Sequence, residues 1–342
     1  MYDADGDNVV KPTSDGRPTI SKNSPTFSLF SLKRCSFLVL LVPESPLLLS
    51  VAEVMQYFTS VSADRAQCFN LRHQPFYDYD LSLPSIRRMR IGPTPLTQEW
   101  ARYLPPSLEY LDWDMGDETS VDEAALKYLL SRPSLKRMSL RFRSQQIVQS
   151  LSKCLKTSQY LEHLDLRSNF IGDQGVHVLV GGLFHSNITS LNLGFNLIGD
   201  AGAAALAQLL ADSRCNLVQL DLNCNLIGNG GAQAISDALR GNRTLKSLVL
   251  LGNSRLSCGD PFVECLYTNI TLEKCDLQRT EIENVRVIDY YLTLNRCGRS
   301  ILRLGDIPCG LWPILLDRVS QKSGDAMYFF CTQKPELFHD VQ

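Results

Sequence analysis

Cysteines, histidines and glycine-bearing turns are the residues of this chain whose types could carry chemistry. The 11 cysteines run from Cys35 to Cys331 without a CxxC pair. Their closest spacings, Cys215 to Cys224 and Cys258 to Cys265, have no second pair and no histidine at zinc-finger distance. The number is odd, and free, mostly buried thiols in a reducing compartment are the reading. His73, His163, His177, His185 and His339 are dispersed, and His177 and His185 lie too far apart on one predicted helix for the i, i+4 spacing of a metal pair. Gly228, Gly230 and Gly231 stand between a strand and a helix, as in a dinucleotide loop. The same framework recurs at Gly172/Gly175 and Gly199/Gly202, so turn geometry accounts for it. There is no GxxxxGK[ST] loop, no HExxH and no GxSxG. An enzyme is not expected, and neither is a cofactor or a metal.

Composition narrows the partners further. Of 342 residues 44% are apolar and 20% charged, and Lys+Arg 34 against Asp+Glu 36 leaves a net charge of −2. That is the profile of a soluble globular protein, with no bulk electrostatic reason to bind nucleic acid or an anionic membrane. The apolar run from Phe37, broken by Pro43, Glu44 and Pro46, is too short to span a bilayer. More than thirty mostly polar residues precede it, which does not suit a secretory signal. Asn187-Ile-Thr, Asn242-Arg-Thr and Asn269-Ile-Thr match the glycosylation pattern, but each falls just before a repeat strand and reads as a turn residue. A cytoplasmic protein is expected, with the nucleus as an alternative.

The elements that position these residues repeat. LEHLDLRSNFIGDQG from Leu161, ITSLNLGFNLIGDAG from Ile188 and LVQLDLNCNLIGNGG from Leu217 are copies of one template. Looser units open at Leu108, Leu135, Leu245 and Leu272, with steps between 26 and 29 residues throughout, and IRRMRIG at Ile86 is a degenerate strand of the same kind. Within a unit, Leu164 and Leu166 alternate with His163, Asp165 and Arg167, as in a strand with one buried face. After the glycines the spacing becomes helical, as at Leu179/Leu183, Leu206/Leu210 and Ile235/Leu239. Asn169, Asn196, Asn225 and Asn253 share the slot where the chain leaves the strand, and an amide there can donate to and accept from backbone groups stripped from the ladder. One unit cannot enclose its own apolar side, but stacked units can.

The template LxxLxLxxNxIGxxG followed by a small-residue helix resembles the leucine-rich repeats of the ribonuclease-inhibitor type. The resemblance is specific over residues 161–231 and looser to 108 and 284. It implies a buried asparagine ladder and an α/β solenoid, a horseshoe with a concave parallel β-sheet and outer helices. Strands about 4.8 Å apart stacked with helices about 10 Å across force the strands inward. Seven strands would give an inner wall roughly 29 Å long. The expected organisation is a disordered arm over 1–33, an N-terminal cap or degenerate repeats over 34–106 with a helix over Leu47 to Phe58, repeats over 107–284, and a helical C-terminal cap over 285–342.

The inward positions carry the functional expectation. They are Tyr110, Asp112 and Asp114; Arg137, Ser139 and Arg141; His163, Asp165 and Arg167; Ser190, Asn192 and Phe195; Gln219, Asp221 and Asn223; Ser247, Val249 and Leu251; and Lys274, Asp276 and Gln278. Of these, Tyr110, Asp112, Arg137, Arg141, His163, Asp165, Arg167, Asn192, Phe195, Gln219, Asp221, Asn223 and Lys274 are expected to meet a protein partner, because aromatic and Arg side chains anchor interfaces. Arg87, Arg88 and Arg90 with Lys136, Arg137, Arg141 and Arg143 form a basic cluster suited to an acidic patch on that partner. Two regulatory alternatives accompany this scaffold reading. Ran GTPase activators share the repeat type, and Val42 to Arg72 is similar to the short helical F-box that precedes leucine-rich repeats in ubiquitin-ligase adaptors. An immune-sensor reading requires a nucleotide-binding module, so only a fragment of such a sensor would fit this sequence.

Overall fold

A computed structural model describes residues 38–41, 68–72, 87–92, 96–116, 121–277, 284–303 and 312–333. The repeat strands are short because each unit needs only enough extended backbone to point two leucines inward before the asparagine turns the chain. They are β4 (Tyr110–Asp114), β5 (Arg137–Arg141), β6 (His163–Asp165), β7 (Ser190–Asn192), β8 (Gln219–Asp221), β9 (Ser247–Val249) and β10 (Lys274–Asp276). Three more strands precede them: β1 (Leu38–Leu41), β2 (Cys68–Arg72) and β3 (Arg88–Ile91). All ten pair in parallel and in chain order. The wall is therefore nine steps long rather than six, roughly 43 Å. The degenerate strand read at Ile86 is β3, which begins two residues later, at Arg88. Cys68–Arg72, the end of the stretch similar to an F-box, is a strand of this sheet. The remainder of that stretch, the arm over 1–33 and the helix over Leu47 to Phe58 lie outside the described residues.

Helices alternate with the strands: α1 (Gln98–Tyr103), α2 (Glu123–Leu130), α3 (Gln145–Leu155), α4 (Gly172–Leu183), α5 (Asp200–Ala211), α6 (Asn229–Gly241) and α7 (Asp260–Thr268). One continuous core lies between the layers. Leu164, Leu191, Leu220 and Leu248 from the strands meet Leu179, Leu206, Ile235 and Phe262 from the helices, all 1% exposed or less. After β10 the chain becomes helical with α8 (Val285–Arg296), α9 (Trp312–Ser320) and α10 (Gly324–Gln333). Leu294, Trp312, Leu315, Val319 and Phe330 form a second, smaller core there. Arg299 joins this end to the repeats: its guanidinium donates to the carbonyls of Leu266 and Tyr267 at 2.8 Å each, at the C-terminal end of α7.

Three stacked sets of side chains hold the repeats in register. In the first, Asn196 Oδ1 accepts from the N–H groups of Asn169 (3.0 Å) and Ile171 (3.3 Å), while its Nδ2 donates to Leu166 O (2.9 Å) and Gly194 O (3.1 Å). Asn225 does the same for Asn196 and Ile198, and Asn169 and Asn253 continue the row in either direction. All four amides are 4% exposed or less. The second set lies at the helix starts. Helices α4, α5 and α6 have no side chain of their own capping the first turn. For α5 and α6 the preceding unit supplies an acceptor: Asp173 Oδ1 accepts from Gly199 N (2.6 Å) and Gly202 N (2.9 Å), and Asp200 Oδ1 accepts from Gly228 N (2.6 Å). Helices α2 and α3, by contrast, are capped within their own unit by Asp122 and Ser144.

The third set includes two of the glycosylation-pattern asparagines. Asn242 and Asn269 are buried at 5% and 0% exposure. Each accepts from N–H groups two and three residues on and donates to a carbonyl of the preceding unit, Leu210 O and Leu239 O. Asn187 is exposed and makes one such bond, to Gln159 O at 2.9 Å. In the folded chain, Asn242 and Asn269 are turn residues.

Asn196→Ala is expected to lower unfolding stability by at least about 1–3 kcal/mol, because two buried N–H groups and the Leu166 carbonyl lose the amide they bond to. Asn187→Ala is expected to cost less than about 1 kcal/mol, since its one bond is at the surface. Urea unfolding of the two variants side by side checks the difference.

Candidate functional site

Strand register builds the concave face in rows. One row runs Arg88, Tyr110, Arg137, His163, Ser190, Gln219, Ser247 and Lys274. The next, two residues along each strand, runs Arg90, Asp112, Ser139, Asp165, Asn192, Asp221, Val249 and Asp276. The residues between them, Met89, Leu111, Met138, Leu164, Leu191, Leu220 and Leu248, enter the core. Asp114 pairs with Arg141 in a third row, and Arg167 follows β6 at the same level. The register thus groups Tyr110, Asp112, Arg137, Arg141, His163, Asp165 and Arg167 on three adjacent strands. Lys274 lies four strands from β6, about 19 Å along the wall.

Asp112 is the centre of this group. Its side chain is 10% exposed, and Oδ2 meets Arg90 Nε at 3.1 Å and Arg141 Nη2 at 3.6 Å. Oδ1 is buried with no partner among the described residues. Burial, then the carboxylates of Asp112 and Asp165, push the Tyr110 phenol above its ordinary range. Burial, then Arg137, hold His163 below its ordinary 6.5, so its imidazole is neutral at pH 7.

Three residues expected at the interface also have a place in the backbone. Asp165, Asn192 and Asp221 each accept, at 2.9 Å, the N–H two residues on, that of Arg167, Gly194 and Asn223. This turn, repeated on β6, β7 and β8, ends each strand in the same way. Burial raises the Asp221 carboxyl above its usual range, opposed by the Asn223 N–H and then by Arg167. Asn223 lies over Gly194, whose missing side chain leaves the space for it.

Phe195 does not belong to the strand row. It follows β7 in the turn, with φ 58° and 42% exposure, and the Arg167 guanidinium stacks on its ring at 4.6 Å from the centroid. The third-row position on that unit is Gly194. The two-residue period from Asn192 leads to Gly194, so Phe195, three residues past the strand end, falls out of phase with the inward row.

Sequence reasoning also missed a ridge beside the concave face. Phe170, Leu197 and Leu226 each follow the ladder asparagine directly, and they are 56%, 53% and 36% exposed. Phe170 and Leu197 have φ of 53° and 59°, the left-handed region that disfavours any residue with a Cβ by about 1–2 kcal/mol. A signal was present: three consecutive units carry a large apolar residue in a slot that the core does not use.

The cysteines are unpaired among the described residues, at Cys154, Cys215, Cys224, Cys258, Cys265, Cys275, Cys297 and Cys331. Burial raises the thiols of Cys154, Cys215, Cys275 and Cys297, and pushes Cys265 up to about 12. No described group of three or more His, Cys, Asp or Glu could hold a metal ion, and no described helix is long and apolar enough to cross a membrane.

The wall of parallel strands, the outer helices and the stacked amides define a repeat solenoid. A family model described as Leucine Rich repeat matches residues 157–180, 184–207 and 214–236. The bovine (Bos taurus) protein "NACHT, LRR and PYD domains-containing protein 3" is 29% identical over 219 residues, covering 53% of this chain and 21% of its own length. The rat (Rattus norvegicus) protein of that name is 28% identical over 165 residues, covering 40% and 16%. The chain spans about a fifth of the length of these curated relatives. A solved tropomodulin C-terminal domain from Caenorhabditis elegans is 16% identical, with a TM-score of 0.40, covering 46% of this chain and 99% of that one. The chain is a leucine-rich repeat protein.

Two measurements check this site. The His163 titration midpoint, followed by NMR, is expected below 6.5 and is expected to rise in Arg137→Gln without reaching 6.5, because burial, the larger cause, remains. Leu197→Asn is expected to leave thermal stability unchanged or raise it by up to about 1 kcal/mol, since asparagine tolerates the left-handed backbone. A loss larger than that would show that the leucine packs into the fold.

Proposed function

We propose that this chain is a protein-interaction module whose concave face, at the β3–β6 end, takes up an acidic surface of a protein partner. The observation that carries the reading is the register that sets Arg137, Arg141 and Arg167 on neighbouring strands. Arg137 and Arg167 are exposed, and Arg141 keeps 45% of its side chain exposed while touching Asp112. Across β3 to β6 the inward rows hold five arginines, Arg88, Arg90, Arg137, Arg141 and Arg167, against Asp112, Asp114 and Asp165. This end is therefore positive although the whole chain is not. The carboxylates there are committed: Asp112 to two arginines, and Asp114 and Asp165 each to a backbone N–H. Guanidinium groups already placed by their strands offer a partner's carboxylates paired hydrogen bonds at little ordering cost. The unpaired thiols suit a reducing compartment such as the cytoplasm.

Affinity purification with mass spectrometry, comparing the full chain with Arg141→Glu/Arg167→Glu, tests this. Partners of the concave face are expected to be depleted about tenfold or more in the double variant, whose circular dichroism is expected to match the parent. Equal recovery by a folded double variant would refute the use of this face.

A further inference from the structure

We infer that the docking surface continues from the concave face over its edge onto the ridge of Phe170, Leu197 and Leu226. Its occupant is an amphipathic segment of a partner protein, with carboxylates beside its apolar side chains. This deepens the reading of the concave face given above and rests on it.

The ridge is built, not incidental. Each residue follows an amide of the buried ladder, so the three are carried in one line at the repeat spacing and cannot drift relative to one another. None is needed by the core, which is filled at this level by Ile171, Ile198 and Ile227, all 1% exposed or less. In the next unit the same slot holds Ser254, which is exposed. Phe170 and Leu197 instead keep large apolar side chains in water, on a left-handed backbone, at a cost in free energy that folding does not recover.

The charges around the ridge settle the chemistry of the occupant. The two acids beside it, half-buried Asp173 and exposed Asp200, each commit one oxygen to the next unit, accepting from Gly199 and Gly202 and from Gly228. A cation on its concave side faces outward: Arg167 is held over the exposed Phe195 ring at 4.6 Å. Asp165 and Asp221 are the acids that share its surroundings, and each has an oxygen occupied by a backbone N–H. A segment arriving here meets apolar surface on one side and a fixed guanidinium on the other. Carboxylates are favoured at that position, and lysines are disfavoured.

A random-peptide phage library panned on the full chain tests this. Enriched sequences are expected to combine Leu, Ile, Phe or Trp with Asp or Glu. Synthetic copies are expected to bind the full chain and to lose about tenfold or more in affinity to Phe170→Asn/Leu197→Asn, and also to Arg167→Gln. The asparagine variant keeps the favoured backbone, and an unchanged melting temperature separates lost contact from lost fold. Basic or purely polar winners, no enrichment, or winners indifferent to the ridge variant would overturn the inference. If winners lose affinity to Arg137→Glu/Arg141→Glu but not to the ridge variant, the ridge fails while the concave reading stands. Light scattering covers the remaining occupant: self-association abolished by the ridge variant would assign the ridge to a second copy of this chain and overturn the proposal.

Discussion

A buried amide that bonds across the repeat boundary is the constraint on which this molecule depends. Where the chain leaves a strand, its N–H and C=O groups lose their ladder partners, and the turn is sealed from water by the next unit. Asn196, fully buried, resolves this by bonding backbone in its own unit and in the unit before it. The bond is therefore also a spacer. It requires each turn to sit at one distance from the last, which keeps the leucines of adjacent units in contact and the strands in register.

The same logic recurs on the other two sides of each unit. Asp173 and Asp200 cap the helix that follows rather than their own, and Asn242 and Asn269 tie the helix ends to the next strand. The central repeats are thus completed by their neighbours at strand, helix start and helix end. Such a chain has no independent unit, and its cohesion is a sum over interfaces.

This arrangement also separates structural polar groups from those left over. On the concave face, Asp165, Asn192 and Asp221 belong to strand-ending turns, and Asp112 is enclosed by two arginines. The arginines, with Phe195 and the ridge beyond it, have less to do within the fold. The inner wall is therefore not uniform: its acids are largely anchored inward, while guanidinium groups and rings are presented outward. That difference, rather than the curvature alone, gives the surface a direction.

The central units were legible because their signals agree: leucine alternation, the asparagine slot and paired glycines all mark one boundary in residues 161–231. Outside them agreement fails. Strands β1, β2 and β3 carry no asparagine slot and no regular step, so only β3 was read as a strand, a degenerate one, and β1 and β2, four and five residues of extended chain, could not be told from loop. Within the site, alternation placed Arg137, Arg141 and Arg167 on the inner face, because a side chain's face depends only on the two-residue period. It failed at Phe195, which is out of phase with Ser190 and Asn192, and it could not see the ridge of Phe170, Leu197 and Leu226, whose exposure is set by the turn at each ladder asparagine. Which residues face inward was thus written locally, in period and residue type. Which acids are neutralised, which rings stay in water and which unit caps which helix depend on side chains more than twenty residues apart meeting across a repeat boundary, and only the stacked chain brings them together.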